Sequence, residues 1–122
     1  MTVMFYQTVE GVQSKTDQAW IQVASKTGPL RVTGNFLQLY AEYGGINVQK
    51  AKEVGIRVLV NGVEKGYDHF QPTLDGEYRA FSVFGIIEPT VEEDYTISLE
   101  VRTFGSSQTV NVRRVRLMAM QV

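Results

Sequence analysis

TISLEVRTFGSSQTVNVRRVRLMAMQV, residues 96 to 122, decides the fold class. In its first half Tyr95, Ile97, Leu99 and Val101 fall on one face and Thr96, Ser98, Glu100 and Arg102 on the other. That period of two marks a half-buried β-strand. A Gly-Ser-Ser turn follows, and then a second alternating run in which the apolar set changes phase. Val110 and Val112 are succeeded by Val115, Leu117 and Ala119, so one extra residue lies at Arg113 or Arg114. The extra residue reads as a β-bulge.

Upstream, the same periodicity recurs in short pieces. Residues 3 to 13 and 18 to 25 read as strands, and Lys26, Thr27, Gly28 and Pro29 read as a break. From Asn35 to Tyr43, Leu37, Leu39 and Ala41 oppose Phe36, Gln38, Tyr40 and Glu42, and Gly44 with Gly45 is expected to end that strand. Residues 46 to 53 are polar and loop-like, although Ile46 and Val48 also suit a short strand. VGIRVLV, residues 54 to 60, is the clearest core strand, and Asn61-Gly62 after it is a strong hairpin signal. Val63 to Tyr67 should return beside it. Asp68 to Gly76 reads as a loop, Glu77 to Phe84 as another strand, and Gly85 to Asp94 as a second long connection. Eight or nine strands without a helix give an all-β, single-domain antiparallel β-sandwich over residues 1 to 122. Long connections at two places favour crossovers between sheets, hence a jelly roll. Residues 1 to 12 form an edge strand or an extended N-terminal arm.

Composition narrows the function. The chain has 122 residues, 43% of them hydrophobic and 20% charged, which suits one globular domain. Twelve Lys and Arg against thirteen Asp and Glu leave a net charge of −1, so no global field draws the chain to nucleic acid or to an anionic membrane. Without cysteine, thiolate metal sites and Cys nucleophiles are excluded. No stretch approaches the ~20 apolar residues of a membrane helix. The N-terminus lacks the features of a secretory signal, so synthesis and retention in the cytoplasm are expected.

Candidate sites are few. His69, the one histidine, lies near Asp68 and Asp75 and could act as an oriented base, but no G-x-S-x-G nucleophile motif accompanies it. Packing beside Phe70 is the plainer role. No enzyme and no cofactor are expected. Glu92, Glu93 and Asp94, with Glu88 close by, could offer oxygen ligands to calcium, yet lack the D-x-D-x-D-G spacing; a solvated acidic loop accounts for them. Arg113, Arg114 and Arg116 are the densest basic cluster, and Arg102, on the strand expected to pair with theirs across the Gly-Ser-Ser turn, could join them to clamp an anion or a protein partner. Alternation puts Arg114 and Arg116 on one face and Arg113 on the other, unless the bulge re-aims one. Tyr40, Tyr43, Tyr67 and Tyr78 could stack on sugar rings, although their scatter speaks against one platform, and Phe36, Phe81 and Phe84 are expected mostly in the core. Phe5 and Tyr6 sit in an apolar segment suited to pairing with a neighbouring chain.

The ending DYTISLEVRT, a Gly/Ser turn, and TVNVRRVRLMAMQV resembles the last two strands of small jelly-roll proteins of tailed bacteriophages. Val110, Val112, Val115, Arg116 and Leu117 carry the pattern, and VGIRVLVNGVEKG resembles the paired-strand hairpin of such sandwiches. Similar endings occur in tumour-necrosis-factor-like and complement-head-like trimers. Among the phage proteins, capsid cement or decoration proteins fit the size. The resemblance implies a structural virion protein on the capsid exterior, assembled in the host cytoplasm. Its partners would be the major capsid protein and further copies of itself, as a dimer or trimer. Phe5, Tyr6, Arg113, Arg114 and Arg116 are then the expected partner-binding residues. A carbohydrate-binding or receptor-binding module of a phage appendage is the alternative.

Overall fold

The computed structural model describes residues 2–11, 13–15, 19–30, 37–48, 53–71, 78–87, 93–103 and 109–121. Nine strands make up almost all of them: β1 (Thr2–Val9), β2 (Gln13–Lys15), β3 (Ile21–Leu30), β4 (Leu37–Val48), β5 (Val54–Val60), β6 (Val63–Phe70), β7 (Arg79–Ile87), β8 (Glu93–Thr103) and β9 (Val110–Gln121). The first sheet has the order β1-β9-β4-β7, with β2 also on β9, and the second has the order β3-β8-β5-β6. Every pairing is antiparallel, and the pairs nest: β1 with β9, β3 with β8, β4 with β7, β5 with β6. The links β4 to β9 and β5 to β8 gather those pairs into two sheets. This is a jelly-roll sandwich.

Alternation sets the core. Val54, Ile56, Val58 and Val60 meet Ile97, Leu99 and Val101 from the second sheet, while Tyr43, Ile46, Val110, Val112, Val115, Leu117 and Ala119 face them from the first. Each buried aliphatic side chain contributes roughly 1.5–3 kcal/mol. Surface ion pairs contribute about 0–1 kcal/mol each, so the apolar layer holds the sheets together.

The bulge expected in β9 is present, with Arg114 at φ 52°. Its partner strand carries a matching irregularity. β4 does not stop at Gly44 and Gly45 but runs on to Val48, turning Tyr43 and Ile46, three residues apart, both inward. The β4–β9 ladder keeps one register from Leu37↔Gln121 to Val48↔Val110, because the two extra residues, Gly44 and Arg114, oppose each other. A Cβ on Gly44 would lie 2.5 Å from the Cβ of Arg114, so only glycine fits there.

Three other expectations give way to tertiary pairing. β3 continues through Lys26, Thr27, Gly28 and Pro29, because β8 offers matching partners: Ser25 Oγ lies 3.3 Å from Ser98 Oγ, and Thr27 Oγ1 lies 2.7 Å from Thr96 Oγ1. Pro29 is tolerated because β3 is a sheet edge. β6 extends to Phe70, which puts Asp68 and His69 on a strand instead of a loop. β8 and β9 are not a hairpin, since they belong to different sheets.

The Asn61-Gly62 hairpin forms as read. Both residues have positive φ, 50° and 80°, as a type I′ turn requires. Asn61 N donates to Thr96 O and Asn61 Oδ1 accepts from Thr96 N, each at 2.8 Å, so the turn is fastened to β8. Further along β6, Gly66 lies against the edge of the other sheet, where an added Cβ would come within 2.0 Å of Phe84 O. Gly66→Ala should therefore force β6 and β7 apart and cost about 1–3 kcal/mol, read as a lower urea midpoint. An unchanged midpoint would mean that this sheet-to-sheet approach is not close in solution.

Tyr43 crosses between the layers. Its hydroxyl, carried on β4, donates to Glu100 O at 3.0 Å and lies 3.5 Å from Arg57 O, both on the second sheet. Burial, reinforced by the nearby Glu100 carboxylate, pushes the phenol well above its ordinary value near 10. Because the folded value is raised, the contribution of Tyr43 is intact below about pH 10 and declines as pH rises beyond it. Tyr43→Phe should cost about 1 kcal/mol at neutral pH and flatten the alkaline fall of the unfolding free energy. An equally steep fall in the variant would assign it to other groups.

Candidate functional site

The outer face of the second sheet gathers aromatic and charged side chains in two adjacent rows. In the first, Gln22, Glu100, Arg57 and Tyr67 lie side by side on β3, β8, β5 and β6. In the second, Arg102, Gly55 and His69 are in register, and Trp20 stands just before β3 at the same level. Gly55 has no side chain to raise, and it is buried. Trp20 and Tyr67 meet edge to face at 5.9 Å, and His69 lies 5.7 Å from the Tyr67 ring.

Charge fixes this arrangement. Arg57 is the single charged residue in an apolar run, and alternation sends it outward beside Glu100 on β8. Its Nε donates to Glu100 Oε1 at 2.7 Å, and Nη2 pairs with the same oxygen. The guanidinium carbon sits 4.3 Å from the Trp20 ring centroid, while that of Arg102 lies 5.7 Å away. Glu64 is 3.5 Å from Arg57, and Glu53 is 3.3 Å from His69 Nε2. A guanidinium held by a carboxylate and laid on an indole loses little entropy when it gains a further contact. Tyr67 remains 44% exposed and His69 is exposed, so rings and polar groups are presented together. Their chemistry is that of a recognition surface: apolar ring faces beside fixed donors and acceptors.

The first sheet carries a different outer face. Tyr6, Met118, Tyr40 and Phe84 form one continuous register row across β1, β9, β4 and β7. Tyr6 is 63% exposed, Phe84 60% and Ile86 61%. Tyr40 and Phe84 meet edge to face at 5.2 Å. In the adjoining row Arg116 Nη1 lies 3.4 Å from Glu42 Oε2. A cavity of about 190 Å³ between β4 and β7 is lined by Tyr40, Glu42, Ala80, Phe81 and Ser82.

The arginine cluster is rearranged relative to its alternation. The bulge places Arg113, Arg114 and Arg116 all on the outward side of β9, between the buried Val112, Val115 and Leu117. Arg114 N donates to Glu10 O at 3.3 Å where β9 exchanges β1 for β2. Arg113 reaches across Gly45 to lie 3.8 Å from the Tyr78 ring centroid, and the bare glycine leaves room for it. Arg102 cannot join these three, because β8 lies in the other sheet.

The four tyrosines do not share a platform. Tyr43 is in the core, Tyr67 is on the second sheet, and Tyr40 and Tyr78 are with the first. Phe84 is exposed instead of buried, and Phe81 packs partly against the core. Phe5 pairs in backbone register with Ala119, and Tyr6 with Met118. Asp75, Glu88, Glu92 and Phe36 lie outside the described residues. Among the described residues, no group of three or more His, Cys, Asp or Glu could hold a metal ion. Arg57 was not singled out by sequence; its signal was a lone charge within an apolar strand.

Since Trp20 is the one tryptophan in the chain, it reports on this face directly. Arg57→Met should shift its emission to longer wavelength as the indole gains water, and Glu100→Gln should do so less while costing about 1 kcal/mol. Identical spectra in both variants would mean that the guanidinium does not cover the ring.

No family model matches the chain, and no curated protein matches it. Solved structures do. The structure described as "CBM4 structure and function" aligns with a TM-score of 0.57 at 14% identity, over 98% of this chain and 77% of that one. The EclA C-terminal domain, described as a sugar-binding protein, aligns at 0.54 with 10% identity, over 89% and 78%. The mosquito-larvicidal Cry4Aa toxin from Bacillus thuringiensis aligns at 0.55 with 10% identity. This chain spans only 21% of that toxin and 19% of the insecticidal Cry8Ea1 delta-endotoxin of the same organism. At these identities the likeness is one of fold, a β-sandwich that carbohydrate-binding modules also use.

Proposed function

We propose that the chain is a non-catalytic carbohydrate-binding β-sandwich module whose site is the outer face of the second sheet. The observation that carries this reading is the edge-to-face meeting of Trp20 and Tyr67 beside the Arg57–Glu100 pair. A pyranose ring offers C–H faces to aromatic rings and hydroxyls to paired donors and acceptors, so stacking sets the plane and the charged groups set the orientation. His69, Glu64 and Arg102 border the rings and would select among hydroxyl patterns. The sugar-binding proteins among the structural neighbours support the reading at the level of fold. On a glycan array, the folded protein should give a signal that Trp20→Ala and Tyr67→Ala each weaken at least about tenfold, with the circular dichroism unchanged. No signal from the folded wild-type chain would sink the proposal.

The capsid cement role is a second reading. It is favoured by β1, which forms an edge of the first sheet and presents Tyr6 63% exposed. A free edge can add a strand from a neighbouring protein, and a particle lattice would multiply weak contacts. Purified protein should then co-sediment at many copies per particle with phage heads that lack it. Failure to sediment would leave the sugar-binding reading standing.

A further inference from the structure

We propose that the outer face of the first sheet is the surface on which copies of this chain associate. The row Tyr6, Met118, Tyr40, Phe84 crosses the full width of the sheet, and Ile86 on β7 and Met120 on β9 extend the apolar surface. Tyr6, Phe84 and Ile86 are each at least 60% exposed. Monomeric soluble proteins seldom leave a contiguous apolar patch of this kind uncovered. The second sheet, by contrast, surrounds its rings with charge.

Shape and size select the occupant. β4 and β9 have 12 residues each, about 40 Å at roughly 3.3 Å per residue, and four strands at about 4.8 Å give a width near 19 Å. Because β1 and β7 are shorter, at 8 and 9 residues, the four strands cover about 650 Å², near the ~800 Å² that each partner contributes to a stable interface. A broad sheet face suits another sheet face.

Charge points to a second copy. The row beside the aromatic one contains one cation and one anion, Arg116 and Glu42, whose side chains are 50% and 31% exposed. Facing copies can exchange these partners, Arg116 of each meeting Glu42 of the other, without leaving any charge unpaired. These two rows together carry both signs in equal number and so are complementary to themselves, while Arg113 and Arg114 lie beyond them, where β9 passes from β1 to β2.

Sedimentation equilibrium over a range of concentrations tests this, because a self-associating chain shows a mass that rises to a fixed multiple of 13.7 kDa. Phe84→Glu and Tyr6→Glu should raise the dissociation constant at least about tenfold, whereas Tyr67→Glu on the opposite sheet should leave it unchanged. The diagnostic pair is Arg116→Glu and Glu42→Arg. Each alone should associate weakly, and an equimolar mixture should associate as the wild type does, since only intermolecular exchange restores both pairs. A monomer at every concentration would overturn the proposal. So would association that survives Phe84→Glu, or a mixture no stronger than its components. None of these outcomes depends on glycan binding, so this surface and the sugar site stand or fall separately.

Discussion

Everything in this sandwich is referred to the β4–β9 ladder, where two central strands change phase together. A single bulge shifts one strand against its neighbour and turns its later side chains to the wrong face. Here Gly44 and Arg114 are both extra and oppose each other, so the register is unbroken along 12 residues while each strand re-aims its apolar set. Val110 and Val112 therefore stay in the core with Val115, Leu117 and Ala119, and Ile46 stays with Tyr43. The neighbouring strands absorb the shift. β7 slips between Tyr43 and Ile46, and the edge beside β9 is divided into β1 and β2.

The same constraint positions the polar groups. Because Tyr43 is turned inward just before the double glycine, its hydroxyl reaches the carbonyls of Arg57 and Glu100 in the opposite sheet. Those two residues point their side chains outward, where they pair and hold the Trp20 indole. A contact through the core thus fixes the backbone beneath the ring platform. Gly45, second of the pair, leaves the gap through which Arg113 crosses to Tyr78. One local irregularity thereby anchors features on both outer surfaces.

Those surfaces differ in chemistry as well as in place. The second sheet is ringed with charge and carries its aromatics as exposed edges among donors and acceptors, which suits a polar ligand. The first presents an uncharged aromatic row with the Arg116–Glu42 pair beside it and Arg113 and Arg114 beyond, and the aromatic row suits burial against protein. A module with a ligand face and an association face on opposite layers would present several ligand sites together, and avidity would follow from geometry alone.

What the sequence by itself determined is the local chemistry. Period-two alternation identified β5, β8 and β9 and their inward residues, the interrupted phase narrowed the bulge to Arg113 or Arg114, and Asn61-Gly62 identified its hairpin, since each depends on a few adjacent residues. Only the tertiary structure decided what depends on partners distant in the chain. The polar stretch at 26 to 29 is a strand because Ser98 and Thr96 meet Ser25 and Thr27 across the ladder. Gly44 and Gly45 continue a strand because a second bulge lies opposite. Arg102 and the arginines of β9, close in sequence, are separated because β8 and β9 enter different sheets. Trp20, Arg57, Tyr67 and Glu100 become neighbours only when β3, β8, β5 and β6 are laid side by side, an order that long-range pairing sets and no local pattern records.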